Sequence, residues 1–282
     1  MSRTGPIVAA RGGSTAALKP STPIAFASRI DAFDKSAVLT PQVLSFFLER
    51  FSAGAAADAA ALRPAIDSAR AGKLHEALAA LKGAGDDRLA AVFLKGLVSL
   101  SGGDLETAEA RFSDALRMDS EFLPAAFYLG AVYAAAGRDR EAAGAWQTAL
   151  ITESNAPFVY TLLGDALLRL RDSEQAIDVL TEARKLWPAN DDVGVRLATA
   201  LLRASKSGEA MSILQPYLDS HPSDPDWLFL GLQALYETRT ANRAIESRDA
   251  DRARFLRYAD AYAAARGPQQ PLVDQWRRSF DR

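Results

Sequence analysis

The chain has 282 residues, of which 49% are hydrophobic, and its 33 lysines and arginines against 35 aspartates and glutamates leave a formal net charge of −2. That balance excludes a general electrostatic attraction to nucleic acid or to an anionic membrane surface, and a cysteine count of 0 excludes disulfides and thiolate metal sites, so either redox compartment is tolerated. At this length a stack of repeats, which needs only contacts between neighbours, fits better than two globules.

Residues 1–23 are rich in Gly, Ser, Thr, Ala and Pro, with Gly12-Gly13 and the prolines Pro20 and Pro23, and read as a flexible lead-in. Gly12 to Thr15 lacks the Gly-Lys-Ser/Thr ending of a phosphate loop. The opening basic residues are followed by no sustained apolar run, and no later segment approaches the roughly 20 apolar residues of a membrane helix. The expectation is a chain without membrane insertion, cytoplasmic if complete and periplasmic or secreted if it is a piece of a longer protein.

Residues 24–54 form a junction. Phe26, Ile30, Phe33, Val38 and Leu39 suggest extended or short helical pieces, after which Thr40 as N-cap and Pro41 at the first helical position open a helix over 41–51. Val43, Leu44, Phe47 and Phe51 fall at helical spacing, with Phe46 and Leu48 beside them. So short and apolar a helix needs something to lie on, either as a cap over the first repeat or as a ligand-like helix in a groove. The run from Arg29 to Phe51 resembles the junction before the C-terminal helical repeats of some bacterial von Willebrand factor A-type multidomain proteins, without that domain's Asp-x-Ser-x-Ser motif. The resemblance implies a C-terminal module of a larger protein.

Residues 55–266 carry a repeat. A degenerate first unit over about 58–82 places Ala69, Gly72, Ala77 and Leu81 as a helical hairpin would, and four regular units come after it over about 89–122, 123–156, 157–190 and 191–224. Gly96, Gly130, Gly164 and Ala198 form one ladder with a constant spacing, Ala108, Ala142, Ala176 and Ala210 a second, and Phe112, Trp146, Leu180 and Leu214 a third. A helix-turn-helix of that period, about 34 residues, is the signature of the tetratricopeptide repeat. The resemblance implies an all-α, right-handed superhelical solenoid of antiparallel helix hairpins. A sixth unit starts at Trp227, Leu230, Gly231 and Ala234 one residue out of register, and Phe255, Leu256, Ala259, Tyr262 and Ala263 supply its second face. Residues 267–282, with Leu272, Val273, Trp276 and Phe280, read as a capping segment.

In tetratricopeptide repeats the first helices line a concave surface. Carried over to this chain, that stripe comprises Leu62, Ile66, Phe93, Leu97, Leu100, Phe127 and Ala131, with Ala134 beside them, then Thr161, Asp165, Leu168, Arg169, Val195, Thr199 and Arg203. It is apolar toward the N-terminus and polar toward the C-terminus. Leu97 and Ala131 stand where a carboxylate clamp requires Asn, so a chaperone-tail site is not expected. The resemblance implies a scaffold that binds another protein or peptide through an apolar or amphipathic segment at Phe93, Leu97 and Phe127, oriented by Asp165, Arg169 and Arg203. Phe93 and Phe127 equally suit packing between repeats. The other open reading is a structural module whose groove is filled in cis by helix 41–51.

Nothing in the sequence points to catalysis or a cofactor. His75 and His221 stand alone and far apart, and Asp86-Asp87 and Asp191-Asp192 suit helix starts. The run from Arg243 to Arg257 interleaves its arginines with Glu246, Asp249 and Asp251, as a solvated helix face does.

Overall fold

The computed structural model describes residues 30–48, 56–81, 85, 88–152, 156–241 and 248–280. The expected lead-in, the ends of the junction, the last turn of helix 41–51 and residues 242–247 of the charged run lie outside the described residues. Among the described residues the chain is all-α, with a 3-10 turn at Lys35–Val38 followed by helices that pack pairwise. The helices are α1 (Pro41–Leu48), α2 (Ala56–Arg70), α3 (Leu74–Ala80), α4 (Leu89–Gly102), α5 (Leu105–Met118), α6 (Leu123–Ala135) and α7 (Asp139–Thr152). They continue as α8 (Pro157–Arg169), α9 (Ser173–Leu186), α10 (Asp191–Arg203), α11 (Ser207–Ser220), α12 (Pro225–Ala241), α13 (Arg248–Ala264) and α14 (Gln270–Phe280).

Two compact units divide the described residues, one over 32–166 and the other over 167–280 with residues 30–31. In the first unit α2 packs on α3, α4 on α5 and α6 on α7, and the first helices α2, α4 and α6 adjoin in turn. The shared motif explains the pairing. A Cβ on Gly96 would stand 2.7 Å from the Phe112 ring, and one on Gly130 would stand 2.6 Å from Trp146 Nε1, so only glycine lets each ring cross its partner helix. Ala108, Phe112, Ala142 and Trp146 are fully buried, and the Trp146 indole N–H donates to the Phe127 carbonyl at 3.1 Å.

In the second unit α9 packs on α10, α10 on α11, α11 on α12, and α12 on α13. Ala176, Leu180, Ala210 and Leu214 hold the positions of the ladders and are fully buried. The last helix, α14, lies against α12 and α13, where Phe280 stacks on Phe255 at 4.1 Å and Trp276 on Phe229 and Tyr236 at 5.5 and 5.1 Å. Its C-terminal carbonyls are capped by arginines of those helices, Ser279 by Arg239 and Phe280 by Arg252, each contact being about a hydrogen bond long at 2.9 and 3.0 Å. Arg252 of the arginine-rich run thus caps α14 while remaining exposed.

The turn inside each hairpin keeps to a ladder that side-chain chemistry conceals. Gly103 and Gly137 take left-handed φ of 85° and 72°, and at the same position of the next two hairpins Arg171 and Ser205 take φ of 61° and 59°. The turn geometry persists where the glycine does not.

Candidate functional site

The stripe of first-helix residues is covered. Leu62 and Ile66 on α2, Phe93, Leu97 and Leu100 on α4, and Phe127, Ala131 and Ala134 on α6 are all buried, as are Thr161, Asp165 and Leu168 on α8 and Val195 and Thr199 on α10. Arg169 is half-buried and Arg203 exposed.

What covers the stripe in the first unit is the chain's own residues 32–48. Thr40 Oγ1 accepts from the Val43 amide at 3.4 Å and Pro41 opens α1, so the helix is started by its own two residues. Helical spacing then puts Val43, Leu44, Phe47 and Leu48 on one buried face, while Pro41 and Gln42 are exposed. Phe47 is fully buried with its ring 4.4 Å from Phe127, 5.6 Å from Tyr128 and 5.7 Å from Phe158, centroid to centroid. Phe46 meets the edge of the Phe158 ring at 5.1 Å.

The two aromatics of the predicted stripe divide. Phe127 faces α1, whereas Phe93 is surrounded by Phe112, Phe122 and Tyr128 at 5.6, 5.3 and 5.6 Å and fills the interior between hairpins.

Polar contacts along residues 32–48 run largely to the main chain. The Tyr128 hydroxyl donates to the Val38 carbonyl at 2.9 Å and Arg70 Nη2 to the Leu48 carbonyl at 3.1 Å. Burial pushes the Tyr128 phenol well above its usual range, since the anion would have no water to solvate it. In the opposite direction, Lys35 Nζ donates to the carbonyls of Leu100 and Ser101 at 3.2 and 3.1 Å, the C-terminal end of α4, where the helix dipole favours a cation. Two left-handed turn glycines lie under this path: Pro41 Cγ is 3.5 Å from where a Cβ on Gly72 would be, and Lys35 Nζ is 3.2 Å from the same point on Gly103. Gly137, the next such glycine, has nothing within 4 Å.

In the second unit Arg169 and Arg203 converge on residues 30–31. Arg169 Nη1 donates to the Ile30 carbonyl at 3.2 Å, and Arg203 Nη2 pairs with the Asp31 carboxylate at 2.9 Å while its Nη1 caps the Leu168 carbonyl at 3.0 Å. Sequence reasoning therefore named Arg169 and Arg203 among the groups that meet residues 30–31 in the second unit and Leu100 and Phe127 among those that meet residues 32–48 in the first, and missed Arg70, Tyr128 and Phe158. Tyr128 and Phe158 carry a signal in hindsight, since each is an aromatic in the first turns of a first helix.

Elsewhere in the first unit, an open hollow of about 430 Å³ is lined by Leu116, Ala126, Leu129, Tyr133, Glu141 and Ala145 on α5, α6 and α7, among others. Arg138 lies over the Tyr133 ring at 4.4 Å and pairs with Glu109 and Glu141 at 2.9 and 3.0 Å. No group of three or more potential ligands for a metal ion occurs among the described residues, and no helix among them is long and apolar enough to cross a membrane.

Family models described as tetratricopeptide repeat match residues 93–158 and 167–236, so those stretches are tetratricopeptide repeats. No curated protein matches it. Among solved structures, the fold is similar to that of MamA, with 17% identity over 61% of this chain and 91% of that one at a TM-score of 0.54. It is also similar to YrrB, described as a tetratricopeptide-repeat protein with an unusual peptide-binding site, with 20% identity over 65% and 90% of the two chains at a TM-score of 0.52. A tetratricopeptide repeat protein from Parabacteroides merdae covers more, 79% of this chain and 98% of its own, at 14% identity and a TM-score of 0.53. None of these comparisons supports the von Willebrand factor A-type origin that the junction suggested.

Proposed function

We propose that this tetratricopeptide-repeat protein is a protein-interaction scaffold whose first-helix face takes an apolar or amphipathic segment, and that its own residues 32–48 hold that face of the first unit in cis. Tetratricopeptide-repeat domains are in general protein–protein interaction modules, and the same face is the one their helices present to a peptide. The observation that carries the reading is Phe47: fully buried, and placed against Phe127, Tyr128 and Phe158 rather than in the interior of any hairpin. A buried aromatic of this kind is the usual anchor of a docked helix.

The absence of native cysteine makes a direct test clean. Pro41 Cγ stands 3.5 Å from the Cβ position of Gly72, so the pair Pro41→Cys with Gly72→Cys brings two sulfurs within the reach of a disulfide. Mild oxidation is expected to give an intramolecular disulfide in the monomer, read as a mobility shift without reductant. A disulfide between chains, or none while each single cysteine remains reactive, would end the cis reading.

A further inference from the structure

Resting on that reading, we propose that the covered face of the first unit is a competitive docking site for a partner protein's amphipathic helix. That helix carries an aromatic anchor, and a lysine precedes it at the separation of Lys35 from Phe47.

Three observations define the partner's chemistry. The contacts from Tyr128 to the Val38 carbonyl and from Arg70 to the Leu48 carbonyl grip main chain, at 2.9 and 3.1 Å, and so read no side-chain identity. Any backbone on the same path satisfies them. Identity is read at two points: the cage of Phe127, Tyr128 and Phe158, which accepts one aromatic ring, and the C-terminal carbonyls of Leu100 and Ser101, which accept an ammonium. The second point supplies charge complementarity, because the negative end of a helix faces a cation.

The third observation is that the segment's local shape is written within it. Asp34 accepts from the Ser36 amide at 2.8 Å and from its hydroxyl at 2.6 Å, and Thr40 caps α1. A foreign segment with its own caps can reproduce that shape without help from the array. Against it stands the tethered segment, whose effective concentration is of millimolar order. The apparent affinity of the intact chain for a partner is reduced by the fraction of time the face is open, roughly 100-fold if that fraction is 1%.

The test titrates a fluorescein-labelled peptide of residues 30–51 into the full chain and into its Phe47→Asp variant, with anisotropy as the readout. Binding at least about tenfold tighter to the variant is expected, together with loss of binding when the peptide carries Phe47→Asp or Lys35→Glu. Equal binding to both chains overturns the competition. No binding to the variant, in a chain whose α1 amides have lost exchange protection, overturns the docking site while leaving cis occupancy standing. Unchanged α1 protection overturns cis occupancy itself. A variant that becomes dimeric assigns the face to a second copy and also refutes the proposal. Should Phe47→Asp not fold by circular dichroism, Lys35→Glu alone weakens the segment, leaves the face unchanged and reads the same competition.

Discussion

Replacing Phe47 by alanine separates a docked segment from a core element. The ring is fully buried among three others, and truncating such a phenylalanine costs about 3–5 kcal/mol where the surroundings cannot collapse. Here they need not collapse, because α1 spans only Pro41–Leu48 and a helix that short does not persist alone in water. The loss therefore falls on docking: protection of the α1 amides against hydrogen exchange drops by roughly two to three orders of magnitude, at a factor of ten per 1.4 kcal/mol. Amides of α7, around Trp146, keep protection set by global unfolding. Native-state exchange read by mass spectrometry distinguishes the two helices in one experiment. If both lose protection by the same factor, α1 unfolds with the array and is a structural cap, and the ligand argument fails.

Trp146→Ala acts on the hairpin itself and is expected to cost about 3–5 kcal/mol, lowering the melting temperature by several degrees; an unchanged melting curve would remove Trp146 from the core. Gly130→Ala puts a methyl 2.6 Å from Trp146 Nε1 and is expected to cost about 1–3 kcal/mol, measured by denaturant midpoint, whereas Gly144→Ala, with nothing within 4 Å, relieves a mid-helix glycine and is mildly stabilising. Arg171 is exposed at φ 61°, so Arg171→Gly removes left-handed strain and is expected to raise stability by about 1 kcal/mol. Tyr128 holds its proton more tightly folded than unfolded, so its contribution is complete below the ordinary phenol value of 10.0 and is lost as pH climbs above it. Stability measured across that range is expected to fall, and Tyr128→Phe to make the fall shallower.

The hairpins were legible because their packing repeats. Each ladder residue meets the same neighbour one period on, so Gly130 and Trp146 announce their contact through Gly96 and Phe112. Contacts that occur once leave no such trace. Arg252 and Arg239 cap α14, and Arg70 caps α1, yet in sequence they are ordinary charges of a helical surface. The turn ladder was half legible, at Gly103 and Gly137, and vanished at Arg171 and Ser205, because neighbouring contacts impose the left-handed turn even where the residue does not favour it. The same reasoning accounts for Phe93 and Phe127, which share a repeat position and face different surroundings. Phe93 meets rings of its own hairpin and of the next, whereas Phe127 meets Phe158 of the next hairpin and, in addition, Phe47 of α1.

In each unit, taken by itself, the first-helix residues meet N-terminal residues of matching chemistry. Residues 38–48 put Val38, Val43, Leu44, Phe47 and Leu48 in buried positions within the first unit. In the second unit Asp31 and the Ile30 carbonyl meet Arg203 and Arg169, at 2.9 and 3.2 Å. A cap selected only to exclude water from an apolar end would need no carboxylate opposite Arg203. Exposed pairs of this kind contribute little stability, typically under about 1 kcal/mol, but a charge of the wrong sign in the same place is repelled, so their main effect is on which segment fits and in which direction. Asp31→Arg is therefore expected to leave the melting temperature nearly unchanged while raising exchange at the first amides of residues 30–38. A large loss of global stability would mean that the pair holds the fold rather than selecting the segment.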